Sequence, residues 1–299
     1  MFFFPSHNKI IFMENSTEIQ LIALDCDGTI FAKHGRLSEY AASVLKQLKE
    51  RGILIVICSG RPFYSIQRAL SPEYYDYAVC MNGQSIIDHN GNIIMKKRDL
   101  APEEIREISR MVEKYRVMMS CSYNDDFHHF TSKKHHFYVS SVQHLKNIAR
   151  RMLGRKLWSD DLRSDYEKLS DLEIAKICFS GMPKALKPLA ASIDQSRYSV
   201  QFVSSMWLEV QPYGVSKGEG IEEIRKLTGI DKANCLAMGD GENDLSMFQA
   251  CGTGVAMKNA MPALKEASRY ITAEHCVDDG AAKWLDASIL QNRGENPLQ

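Results

Sequence analysis

The sequence predicts an α/β protein: a doubly wound parallel sheet interrupted by an inserted α+β module. Three observations predict it. Short apolar runs recur, each ending in a polar, glycine-bearing turn. Helical patterns lie between them. The middle of the chain then changes character, to hairpins mixed with helices. Continuous apolar strands, rather than alternating ones, suit a parallel sheet covered on both faces. The strand–helix–strand order suits double winding.

The runs come in order. Residues 21–24 end at Asp25, residues 53–58 at Ser59-Gly60-Arg61, residues 78–81 at Asn82-Gly83, and residues 235–238 at Gly239-Asp240-Gly241. Ser38 is placed to cap a helix carrying Ala41, Val44, Leu45 and Leu48, stopped near Gly52. Another helix carries Ile221, Ile224 and Leu227 and ends before Gly229. Ligands of such sheets bind beyond the carboxyl ends of the strands. Here every one of those ends bears a reactive or hydrogen-bonding group.

Residues 85–206 read differently. Two short strands flank Asn90-Gly91, a hairpin signal. A helix with Ile105, Ile108 and Val112 follows, then strands at 117–123 and 127–131, a helix near 142–153, and further strands and a helix up to 210. The expected division is an extension over 1–16, a core over 17–84, an inserted α+β cap over 85–207, and the rest of the core over 208–299. Gly83 and Gln211-Pro212 are the expected linkers, about which the cap opens and closes. The opening Met1-Phe2-Phe3-Phe4-Pro5 is too short an apolar piece for a signal sequence, and the first dozen residues read as dispensable.

Composition narrows the function classes. Of 299 residues, 37 are Lys or Arg and 37 are Asp or Glu, so the formal net charge is zero. No global basic field recruits nucleic acid or an anionic membrane, and an anionic substrate must be attracted locally. Eight cysteines occur without a C-x-x-C pair. They read as small buried hydrophobes of a reducing, cytoplasmic compartment, which disfavours both zinc and a disulfide framework. No apolar run approaches the ~18 residues of a membrane span.

The chemistry-bearing residues form four groups: Asp25-x-Asp27-Gly28-Thr29, Ser59-Gly60-Arg61, Lys217-Gly218, and Gly239-Asp240-Gly241-Glu242-Asn243-Asp244. Two carboxylates at the end of a buried strand cost free energy unless a cation or hydrogen bonds compensate them. A divalent cation such as Mg²⁺ prefers such oxygen ligands. The pattern suits phosphoryl transfer. Mg²⁺ held by Asp25, Asp240 and the Asp27 main-chain carbonyl would offset the repulsion between a carboxylate nucleophile and a phosphate monoester. Asp25 would attack phosphorus, and Asp27 would protonate the departing alkoxide and then activate water. Ser59, backbone amides near Gly28 and Gly60, and Lys217 would hold the phosphoryl oxygens. Asn243 and Asp244 would position Lys217 and the metal's waters. Each group taken singly has a plainer reading as a turn, a helix cap or a solvated lysine.

Together the four motifs resemble those of the haloacid-dehalogenase-like hydrolase superfamily. From about Gln20 to Asp286 the chain resembles the Cof-like branch of sugar-phosphate phosphatases, with its type IIB cap. Asn82-Gly83, the stretch 255–260 and Asp279-Gly280 match secondary signatures of that branch. The resemblance implies a Mg²⁺-dependent phosphatase acting through an aspartyl-phosphate. By position it makes Asp25 the nucleophile, Asp27 the acid/base, Ser59 and Lys217 the phosphate-binding pair, and Asp240 the metal-binding acid. Asn243 becomes a phosphate contact or a support for the groups around it. The expected substrates are small phosphorylated metabolites, sugar phosphates or a phosphorylated cofactor precursor, and the expected assembly is a monomer or homodimer. A hexose phosphomutase and a non-catalytic phosphometabolite-binding protein are the alternatives. In the cap, His128-His129 and His135-His136 lie near Asp125, Asp126, Lys133 and Lys134, where a solvated hairpin face is the default expectation and a substrate contact the next.

Overall fold

The structure is a computed structural model that describes residues 18–32, 35–123, 126–152 and 162–291. The expected extension over 1–16 lies outside these residues, as does Asp125.

The chain first lays down β1 (Leu21–Asp25), α1 (Glu39–Glu50), β2 (Leu54–Cys58), the short α2 (Phe63–Gln67) and β3 (Tyr77–Cys80), then an antiparallel pair, β4 (Ser85–Asp88) and β5 (Ile93–Lys96). It continues through α3 (Pro102–Ser109), α4 (Met111–Lys114), β6 (Met118–Tyr123), β7 (Asp126–Phe130), α5 (His136–Met152), β8 (Leu162–Arg163), β9 (Ile177–Ser180), α6 (Pro183–Ser192), β10 (Tyr198–Ser204) and β11 (Trp207–Pro212). It ends with α7 (Lys217–Thr228), β12 (Cys235–Gly239), α8 (Leu245–Ala250), β13 (Thr253–Ala256), α9 (Pro262–Ala267), β14 (Tyr270–Ile271) and α10 (Gly280–Leu285).

The larger sheet has the order β14-β13-β12-β1-β2-β3-β4-β5. From β14 to β3 every pairing is parallel, and β1 lies between β12 and β2. That central place explains why Leu21, Ile22, Ala23 and Leu24 are all fully buried: a strand with parallel neighbours on both edges and helices on both faces has no side left for water. The capping expectation for α1 holds, since the Ser38 hydroxyl accepts from the Ala41 amide at 3.0 Å. The same device opens α7, where Ser216 accepts from Glu219 at 3.1 Å and fixes where Lys217 begins the helix.

The second sheet has the order β10-β11-β9-β6-β7-β8 and is antiparallel except for β7 with β8. One face packs on α3, α4 and α6 through a separate apolar cluster that includes Ile105, Ile108, Met119, Phe179, Leu186, Leu208 and Val210. Its other face looks toward the carboxyl ends of the larger sheet's strands.

The hairpin around Asn90-Gly91 corrects the expected division at residue 85. It forms, but β4 pairs antiparallel with β3 and extends the larger sheet. The reason is burial: Ile86 and Ile87 cover what would otherwise be the open edge of β3. At the other junction β11 stays in the second sheet as far as Pro212, beyond the expected return at 208. The crossings therefore fall at 97–101 and 213–216, where Lys97 Nζ donates to the Gly214 carbonyl, and Gly83 is not a linker.

Candidate active site

Three strand ends and one helix start converge. Asp25 closes β1, and the chain then turns back on itself, with the Phe31 amide donating to the Cys26 carbonyl at 3.0 Å. Gly28 lies in this turn at φ +85°, a conformation glycine adopts freely, and an added Cβ would collide with the Asp240 carboxylate. Ser59 closes β2, buried, its hydroxyl accepting from the Arg61 amide at 3.2 Å. Asp240 follows β12.

Lys217, 1% exposed, donates to Asp25 Oδ1 and to Asp244 Oδ1, each at 2.6 Å. Asp244 turns its other oxygen to the amides of Asp240 and Gly241, both at 2.9 Å, so it fixes the lysine and the loop together. Burial works against a charged Lys217, but Asp244 and Asp25 outweigh it and hold the ammonium well above its ordinary range. Burial pushes the Asp25 carboxyl upward; Lys217 opposes this, while Asp244 and Asp240 add to it. Asp240 is pushed up to about 7, by burial and then by Asp244.

These carboxylates fit a hard dication. Asp25, Asp240 and Asp244 each offer an oxygen within 4.8 Å of the others. Both oxygens of Asp244 are already engaged, which leaves Asp25 and Asp240 as the open pair. Asp25 Oδ2 is buried and has no hydrogen-bond partner, a costly state that the field of a nearby cation would ease. Asn259 orients Asp240, donating to its Oδ2 at 3.2 Å and to the Gly28 carbonyl at 2.8 Å.

Asp27, expected among the metal-binding acids, turns its carboxylate away from this cluster. Arg61 Nε donates to Asp27 Oδ2 at 2.7 Å, and a second guanidinium N–H reaches Oδ1. Asn243 is buried beside Asn82 and donates to its side-chain oxygen at 3.4 Å.

Two further residues escape the sequence reading. Lys176 donates to Glu209 Oε1 and to the Gly60 carbonyl, both at 2.9 Å. Glu209 also accepts from Trp207 Nε1 at 3.1 Å and, at its other oxygen, from Asn82. The signal was present in β11: Trp207, Glu209 and Gln211 alternate with Leu208 and Val210, so the polar residues share the face turned to the site.

The two sheets enclose a cavity of about 360 Å³. Asp25, Asp27, Ser59, Gly60, Asp240 and Asn243 line it on one side, and residues of the second sheet, Phe127 and Trp207 among them, line it on the other.

A family model described as haloacid dehalogenase-like hydrolase matches residues 22–285. The chain is a haloacid dehalogenase-like hydrolase. It is 28% identical over 268 residues to the putative phosphatase YxeH of Bacillus subtilis, covering 85% of this chain and 92% of that one. It is 27% identical over 271 residues to the HMP-PP phosphatase of Serratia proteamaculans, covering 89% and 94%. Its fold matches the haloalkanoate-superfamily phosphatase BT1666 of Bacteroides thetaiotaomicron with a TM-score of 0.75 at 21% identity, covering 93% and 98%. The hydrolase belongs to the Cof-like phosphatases and is a phosphoric monoester hydrolase.

The four cap histidines of this hydrolase do not converge. His128 stacks on Tyr123, His129 Nδ1 lies 2.8 Å from the Ser120 hydroxyl, His135 meets the Val112 carbonyl, and His136 meets the Leu162 carbonyl. Among the described residues they form no metal-binding group. Likewise, no described helix is long and apolar enough to cross a membrane.

Proposed function

We propose that the hydrolase cleaves small phosphorylated metabolites through an aspartyl-phosphate on Asp25, with Mg²⁺ as cofactor. The observation that carries this reading is the state of Asp25. One oxygen is fixed by Lys217, while the other is buried, unpartnered, and belongs to a residue that lines the cavity. An oxygen so presented is a nucleophile held in place.

When bound, Mg²⁺ would be held by Asp25, Asp240 and the Asp27 carbonyl, and would neutralise charge on the phosphoryl oxygens. The chain's own residues do the rest. Asp25 Oδ2 forms a bond to phosphorus as the bond to the alcohol oxygen breaks, and Asp27 gives that oxygen its proton. Water then attacks the phosphorus, Asp27 takes the water's proton, and the bond to Asp25 breaks to release phosphate. Ser59, the Gly60 amide and Lys217 hold the phosphoryl oxygens, and Asn243 closes the cradle. Arg61 grips both oxygens of Asp27 in this arrangement, so its acid role requires that grip to loosen as substrate enters.

A relative named for HMP-PP supports a small phosphorylated metabolite as substrate. The buried free thiols support a reducing, cytoplasmic setting. The test is hydrolysis of an aryl phosphate with Mg²⁺ and then with chelator. The parent is expected to turn over only with Mg²⁺, and Asp25→Asn not at all; equal rates in the two proteins would overturn the mechanism.

A further inference from the structure

The face of the second sheet that looks into the cavity has an uneven surface. Its middle strands place two small side chains in the cavity lining, Ser122 on β6 and Cys178 on β9. On the flanking strands stand two rings, Phe127 opposite Ser122 and Trp207 opposite Ser180. β7 and β11 are separated by both middle strands. Their rings nevertheless lean over the small residues until their centroids are 6.3 Å apart and their planes only 19° from parallel. Both rings line the cavity, and Phe127 keeps 40% of its surface exposed. The two rings, with His129 edge-on to Phe127 at 5.4 Å, give the cavity an aromatic platform in its lining.

The polar groups beside that platform are already engaged. Lys176 is taken up by Glu209 and the Gly60 carbonyl, and Glu209 by Lys176, Trp207 and Asn82. The remaining lining on this side, Cys178 and Val203 with the Ser122 hydroxyl, offers little to a polyhydroxylated alcohol. Hydroxyls buried against Phe127, Trp207, Cys178 and Val203 would lose water without gaining partners, a penalty for each one. A flat ring meets the opposite condition, because stacking on Phe127 and Trp207 asks for no polar partner.

We infer that the alcohol half of the substrate carries a flat, unsaturated ring that stacks on the Phe127–Trp207 platform, in preference to a free sugar. This inference rests on the phosphatase reading above and names the substrate class for that site.

The experiment measures kcat/KM for benzyl phosphate, cyclohexylmethyl phosphate, glucose 6-phosphate and acetyl phosphate, with the parent and with Phe127→Leu. Benzyl phosphate is expected to exceed the cyclohexylmethyl and glucose esters by about tenfold. Phe127→Leu is expected to lower the benzyl value about fivefold more than the acetyl phosphate value. Glucose 6-phosphate equal to or better than benzyl phosphate would overturn the inference, as would a ring preference that survives Phe127→Leu. If the parent hydrolyses none of the four, the phosphatase reading fails separately. The ring inference is then decided by calorimetry with benzylphosphonate and cyclohexylmethylphosphonate, where about tenfold tighter binding of the first supports it and equal affinity rejects it.

Discussion

Lys176 donates to the carbonyl oxygen of Gly60 across 2.9 Å, and this one hydrogen bond ties the second sheet to the loop that follows Ser59. The lysine is 6% exposed and its partner Glu209 equally so. Burial opposes a charged Lys176, but Glu209 outweighs it, and burial opposes a charged Glu209, but Lys176 outweighs that. Lys176→Met leaves a buried carboxylate uncompensated and is expected to cost about 3–5 kcal/mol in urea unfolding. Lys176→Met with Glu209→Leu is expected to recover much of that stability while kcat/KM stays low, because the tie to Gly60 is gone. Full activity in the stable double variant would show that the tie has no part in holding the phosphate loop.

Asp27 has two duties in the proposed cycle, and a good leaving group needs only the second. With an aryl phosphate, Asp27→Asn is expected to form the aspartyl-phosphate but hydrolyse it slowly, lowering kcat by about 10²–10⁴-fold. Mass spectrometry of the acid-quenched enzyme would find one added phosphoryl group. An unphosphorylated steady state at low kcat would move the role of Asp27 to the first step alone.

Removal of the metal is read most directly as stability. Mg²⁺ is expected to raise the melting temperature of the parent by several degrees, since a ligand bound only by the folded chain stabilises it. Asp240→Asn is expected to abolish most of that rise, having lost one of the two open carboxylates. A rise of the same size in both proteins would place the cation elsewhere.

Glu104 supplies a pH dependence remote from the metal. Its carboxylate accepts from Arg98 at 2.6 and 3.0 Å and from the Ala101 amide at 2.8 Å, capping α3. Arg98 first, and then the amide, hold it below its ordinary value of 4.5 against the effect of burial. A lowered acid contributes stability above its unfolded pKa and loses that contribution as pH falls through its folded one. Glu104→Gln is thus expected to cost about 1 kcal/mol near neutral pH. The gap to the parent is expected to close as pH falls below 4.5. Urea titrations near neutral pH and near pH ~3 check both, and a gap that widens in acid would reverse the assignment.

Much of the site was legible because strand-end chemistry is local. Asp25, Ser59 and Asp240 each follow an apolar run, and Lys217 follows a cap serine, so pattern and punctuation suffice to find them. Asp244 was expected to position Lys217, and the structure puts the two 2.6 Å apart. Lys176 and Glu209 were missed because their pairing joins positions far apart in the sequence, and a lone lysine just before a strand gives no sign of its partner. The fate of the Asn90-Gly91 hairpin was missed for a related reason. Turn chemistry predicts that two strands pair, but which sheet they join depends on the edge that needs covering, here that of β3.

The outer strand β5 bears on handling. It leaves Ile93 and Ile94 exposed along an edge with no further neighbour among the described residues, and the charged pair of Lys96 and Asp99 at its end discourages a second chain from docking there. High ionic strength screens that charge while leaving the isoleucines as they are. Concentrated, salty stocks will therefore tend to turn cloudy through this edge while the catalytic face is still intact, and colloidal shelf life, more than melting temperature, will set how the enzyme is best stored.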